Sequence, residues 1–194
     1  RGSGKSSLSR YLVEKHFEKS DVWRLIAPLE CTADLASFES QMKQFAGGKG
    51  SLDRRLDVLK GKRVVMIDDL EMWWERRPGG ARVVERILEL VRLYGSQLLF
   101  VVTINRHALR ILEQLTQLNS WVNELIYCQP FYARELMEMF LTRHHAVGLS
   151  FLLDNNEEET MSNWCFAQLF NHLFNCSGCN PGFSVQLCLS GIQA

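Results

Sequence analysis

Two runs of consecutive apolar residues, Val64-Val65-Met66-Ile67 and Leu98-Leu99-Phe100-Val101-Val102, restrict the fold of this chain more than any other feature. A strand with one wet face alternates apolar and polar side chains. A strand without alternation is buried on both faces, as in a parallel sheet covered by helices. Each run ends in polar residues, Asp68-Asp69 after the first and Thr103-Ile104-Asn105 after the second. Those polar ends belong at the carboxyl edge of the sheet, where open α/β folds bind ligands.

The segments around these runs continue the alternation of strand and helix. Val22 to Ala27 reads as a strand and Glu124 to Cys128 as another, while Lys5 to about Lys19, Ala33 to Phe45, Ser51 to Leu59, Val83 to Tyr94 and Arg106 to Leu115 read as helices. The expected architecture is an α/β domain over residues 1–130 in three layers around a parallel sheet. From Ala133 onward no strand is expected. Ala133 to Ala146, Glu158 to Asn175 and Gly182 to Ile192 carry helical patterns, so residues 131–194 are expected to form a small helical subdomain.

Bulk properties exclude little. The chain has 194 residues with 22 basic and 22 acidic side chains, so no overall positive field points to nucleic acid. Six scattered cysteines suit reduced thiols in a cytoplasmic protein, and Cys176-Ser177-Gly178-Cys179, without a second pair, suits a structural role better than zinc. The longest apolar run, Leu98 to Ile104, is far too short to span a bilayer.

The chemistry is announced at the start of the chain. Arg1-Gly2-Ser3-Gly4-Lys5-Ser6-Ser7 matches the second half of the phosphate-binding pattern G-x-x-x-x-G-K-[ST]. In such a loop successive backbone N–H groups face phosphate oxygens, which makes residues 1–7 the candidate nucleotide-binding segment. Lys5 would bridge the β- and γ-phosphates, and the Ser6 hydroxyl would hold Mg²⁺. The leading glycine of the pattern falls before residue 1, so the sequence is expected to be part of a longer chain with an upstream strand.

With the phosphate loop first and an apolar strand ending in paired acids about sixty residues later, the sequence resembles P-loop ATPases of the AAA+ and related signal-transduction group. The resemblance covers almost all of it and implies ATP and Mg²⁺ as ligands. By resemblance Asp68 is the Walker B metal-orienting acid, Asp69 polarises the attacking water, and Asn105, or Thr103, is the sensor-1 residue that contacts the γ-phosphate or that water. Loss of turnover in Glu71→Gln but not in Asp69→Asn would transfer the water-polarising task to Glu71. Ser177 to Gly182 is similar to the turn that opens a sensor-2 helix, although Gly182-Phe183-Ser184-Val185 lacks the usual arginine. The segment 118–123 also lacks the arginine finger of ring-forming members.

The resemblance further implies that the strand leading into the loop lies between the strand at Leu99 and the strand at Leu125. Four parallel strands near Val22, Val64, Leu99 and Leu125 are therefore expected, with a slot between the last two. After the acid pair, Leu70 to Gly80 is rich in tryptophan and arginine, residues enriched at interaction hot spots. The segment Trp73–Gly80 is the candidate surface for a protein partner or self-association, with Arg76 or Arg77 as a replacement finger. The function implied is an ATP-hydrolysing conformational switch or assembly engine. Its alternatives are an interaction module that binds nucleotide without hydrolysis and a DNA-remodelling or helicase-loader ATPase.

Overall fold

The structure, a computed structural model, describes residues 2–153 and 156–190. The chain divides into two compact units: Lys5–Ile126, and the residues from Tyr127 onward together with Gly2–Gly4.

The first unit is mixed α/β. Strands β1 (Val22–Leu25), β2 (Arg63–Ile67) and β3 (Leu98–Val102) form a parallel sheet in the order β1-β2-β3. Val22 lies beside Val64, which lies beside Leu99, and Leu25 aligns with Ile67 and Val102. Parallel neighbours need crossover connections. Helices α2 (Leu35–Ala46) and α3 (Leu52–Asp57) supply the first, and α4 (Arg82–Tyr94) supplies the second. Helix α1 (Lys5–His16) precedes the sheet and α5 (Arg106–Leu115) follows it.

Alternation of side chains across the strands divides the core in two. Val64 and Met66 meet Val13 of α1 on one face, while Val65 and Ile67 join Trp23, Leu25, Phe38, Leu90 and Leu112 on the other. Both faces of β2 are thus covered, which is the physical content of its unbroken apolar run. Local chemistry sets the helix ends: Asp34 accepts hydrogen bonds from the backbone of Ala36 and Ser37 to start α2, and Ser51 accepts from Arg54 to start α3.

The expected fourth strand is not there. Glu124 to Cys128 pairs with none of β1 to β3. Its apolar side chains stay largely in water, with Ile126 64% exposed. A strand exists only through its hydrogen-bonded neighbour, and among the described residues the outer edge of β3 has none. Three of the four expected parallel strands are therefore present.

The second unit is mainly helical: α6 (Ala133–Ala146), α7 (Asn163–Ser177) and α8 (Pro181–Ser190). Leu136, Phe140, Phe170 and Leu173 form its core. Phe170 packs edge-on to Phe151 at 5.6 Å and tilted to Phe140 at 5.9 Å. The expectation of no strands here is corrected by a two-residue antiparallel pair, β4 (Leu152–Leu153) with β5 (Asn156–Glu157). Helix α7 starts at Asn163 rather than Glu158, because the Ser162 hydroxyl accepts from the Cys165 N–H and caps it there. It ends in a left-handed Gly178, after which Cys179 N–H returns to Phe174 O at 3.3 Å. Cys179 thus serves the helix terminus. Gly191 and Ile192, expected at the end of α8, lie outside the described residues.

Candidate functional site at the carboxyl edge of the sheet

Where β2 and β3 end, the backbone pairing continues into a tight polar turn. Thr103 N–H donates to Ile67 O at 2.9 Å, and Leu70 N–H donates to Thr103 O at 2.9 Å. The Thr103 hydroxyl, buried here, donates to Asp68 Oδ1 at 3.1 Å and accepts from the Asp69 N–H at 3.0 Å. A hydroxyl can do both at once. It fixes the Asp68 carboxylate and the backbone of Asp69 in one step.

Asp69 adopts a left-handed conformation, φ 49° and ψ 60°. For most L-residues that costs about 1–2 kcal/mol, and Asp is among the few that tolerate it. The reversal starts a 3₁₀ turn, Leu70–Trp73, closed by Met72 N–H to Asp69 O at 2.8 Å. Leu70, Met72 and Trp73 are buried, with Trp73 edge-on to Phe38 at 5.7 Å. Thr32 N–H donates to Met72 O at 2.9 Å and anchors the turn from a second direction.

Glu71 is the polar residue of this anchored turn. Its carboxylate accepts the Asn105 side-chain N–H at 3.0 Å and the Asn105 backbone N–H at 3.2 Å. The remaining end of the Asn105 amide, Oδ1, accepts from Ala108 N–H at 2.8 Å and caps α5. Asp68, Thr103, Glu71 and Asn105 thus form one cluster spanning the ends of two neighbouring strands.

Val13 of α1 clusters with Val64 and Met66 of β2, and Glu14 of α1 pairs with Arg24 of β1 at 2.6 Å. Lys5 and Ser6 are half-buried and Ser7 is exposed. Gly2 and Gly4 have φ of 85° and 82°, the left-handed backbone for which a glycine-rich turn uses glycine. Arg1 lies outside the described residues.

Within the second unit Gly2 makes a contact that sequence reasoning missed. Gly182 N–H donates to Gly2 O at 2.9 Å. A Cβ on Gly182 would sit 2.6 Å from Gly2 Cα, and one on Gly2 would sit 2.5 Å from Asn180 Oδ1. The turn 177–182 and Gly2 meet through backbone, so only the glycines at 2 and 182 announce the contact.

The loop 73–80 is mostly committed to its own fold, which corrects its reading as a partner surface at Trp73. Trp73 is wholly buried and Trp74 packs against the core. Arg77 pairs with Glu75, and Glu75 N–H donates to Gly80 O at 3.1 Å. Arg76 remains exposed. A Cβ at Gly80 would meet Glu75 O at 2.0 Å, so the closure requires glycine.

Hard oxygen donors with one or two carboxylates suit Mg²⁺, and Asp68 with the Ser6 hydroxyl has that character. Asp68 uses only Oδ1 toward Thr103. Among the described residues no group of three or more His, Cys, Asp or Glu gathers as a metal site. No helix of those residues is long and apolar enough to cross a membrane. No protein family and no curated protein matches this sequence.

Proposed function

We propose that the chain carries an ATP-binding and ATP-hydrolysing P-loop domain of the AAA+ or signal-transduction kind, acting as a nucleotide-driven switch within a larger protein. The observation that carries this reading is the carboxyl edge of the sheet, where Thr103 holds the Asp68 carboxylate and Glu71 holds the Asn105 amide. The sequence pattern Gly2-Ser3-Gly4-Lys5-Ser6 supports it independently. Phosphoryl transfer is catalysed mainly by positioning and electrostatics, and these are the parts it uses. Backbone N–H groups of residues 2–7 bind phosphate oxygens, with Arg1 part of the same segment by its sequence pattern. Lys5 neutralises β- and γ-phosphate charge. Ser6 and Asp68 would hold Mg²⁺, which when bound shields the phosphates, and Thr103 orients Asp68 for that task. An acid of the turn after β2 positions the attacking water beside Asn105.

The open flank of β3 supports the reading as well. In the resembled ATPases the strand that enters the phosphate loop pairs beside the sensor-1 strand, and among the described residues no strand pairs with β3 on the side away from β2. Equilibrium titration of the full-length protein with Mg·ATP tests the proposal. Lys5→Ala is expected to weaken binding by about a hundredfold or more, the scale of removing a charge-assisted contact in a shielded site. Equal affinity for wild type and variant would refute it. Binding without turnover would favour the non-hydrolysing module.

A further inference from the structure

Resting on that reading, we infer that Glu71, and not Asp69, is the acid that orients and deprotonates the attacking water, and that it works as a pair with Asn105. Three observations point this way. First, Glu71 is the acid that touches the sensor residue: both of its carboxylate oxygens receive N–H groups of Asn105, at 3.0 and 3.2 Å. A group held by the second hydrogen of that amide would lie about 5 Å from the Glu71 oxygen, a span that one bridging water fills. For Asp69 the contact to the strand ends runs through its backbone N–H to Thr103 rather than through its carboxylate.

Second, the pair has the right capacity left over. The Asn105 Nδ2 has two hydrogens and gives one to Glu71, while Oδ1 is occupied by Ala108. A carboxylate has about four acceptor sites, of which Asn105 fills two. One donor and two acceptors therefore remain side by side. The donor suits a γ-phosphate oxygen, and an acceptor suits the hydrogen of a water next to it.

Third, the acid is held still. Glu71 is flanked by buried Leu70 and Met72, its turn is pinned by Trp73, and the left-handed Asp69 is the hinge that swings the following residues toward β3. Catalytic groups work best when packing locks their surroundings. The unusual conformation of Asp69 thereby gains a purpose: it positions its neighbour.

The chemical step follows. The water oxygen forms a bond to Pγ while the bond from Pγ to the β,γ-bridging oxygen breaks, its electron pair leaving on ADP. The water proton passes to the Glu71 carboxylate and is returned to solvent after phosphate departs. The Asn105 N–H holds the γ-phosphate in line.

Single-turnover hydrolysis and equilibrium ATP binding, measured on the full-length protein, test the assignment. Glu71→Gln is expected to keep ATP affinity within about threefold and to lower hydrolysis by about a hundredfold or more, the scale of losing a general base. Asp69→Asn is expected to hydrolyse within about threefold of wild type. If Glu71→Gln fails to fold, Glu71→Asp, which keeps the charge but withdraws it from Asn105, is expected to fold and to lose rate. Normal hydrolysis in both Glu71 variants, or a hundredfold loss in Asp69→Asn, would overturn the assignment alone. A wild-type protein that binds no ATP would overturn the nucleotide reading and this assignment with it.

Discussion

At the scale of single residues, Thr103 carries more of the site than its size suggests. Its hydroxyl satisfies the Asp69 N–H and orients Asp68, and both contacts are shielded by the buried turn. Thr103→Val keeps the shape but leaves the amide without a partner, at a cost of about 1–3 kcal/mol. Thr103→Ser keeps the hydroxyl and should cost about 1 kcal/mol for the lost methyl group. Urea unfolding of the three proteins checks this ordering, and an equally stable Thr103→Val would show that the amide finds another partner. Thr103, Asp68 and Asn105 were legible in the sequence because strand ends in parallel sheets place polar residues at one edge. The Glu71 contact was not legible, since it depends on the handedness of one dihedral pair at Asp69, which no spacing encodes.

At the scale of elements, the helices were legible wherever apolar periodicity coincided with a capping residue, as at Asp34, Ser51 and Asn105. The start of α7 was misplaced because Glu158 and Glu159 look like good first-turn residues. Glu158 instead ties two elements together. Its carboxylate accepts Phe151 N–H at 2.9 Å and meets His145, in the last turn of α6, at 2.5 Å. Burial pushes its pKa upward, but the Phe151 N–H and the histidines His145 and His144 outweigh that and hold it below 4.5. The sign follows from linkage. A carboxylate with a depressed folded pKa contributes stability above the unfolded value, and that contribution is lost as pH falls through the folded one. The helical unit should therefore lose stability below about pH 4.5, the ordinary value for Glu. Glu158→Gln should flatten that dependence. Carbon-detected NMR titration reads the group directly, and a midpoint at or above the ordinary value would contradict the hydrogen-bond account.

At the scale of the whole chain, the parallel sheet was legible and its extent was not. Unbroken apolar runs report that a strand is covered on both faces, but nothing in Glu124 to Cys128 reports whether a partner edge lies beside it. The state of the β3 edge can be read amide by amide. Along a strand, successive N–H groups point to opposite sides. Thr103 N–H bonds Ile67 O, so the amides of Leu99, Val101 and Thr103 face β2, while those of Phe100 and Val102 face the unpaired edge. Hydrogen exchange of the 194-residue chain should then alternate, with Val101 and Thr103 slow and Phe100 and Val102 fast, because only bonded amides need an opening event before they exchange. Were a further strand to pair at this edge, Phe100 and Val102 should become slow as well while their neighbours change little. Uniformly slow exchange in the 194-residue chain would mean that something already covers the edge, whether the run 122–128 or a second molecule. Dilution tells these apart, since only protection by a second molecule fades with concentration.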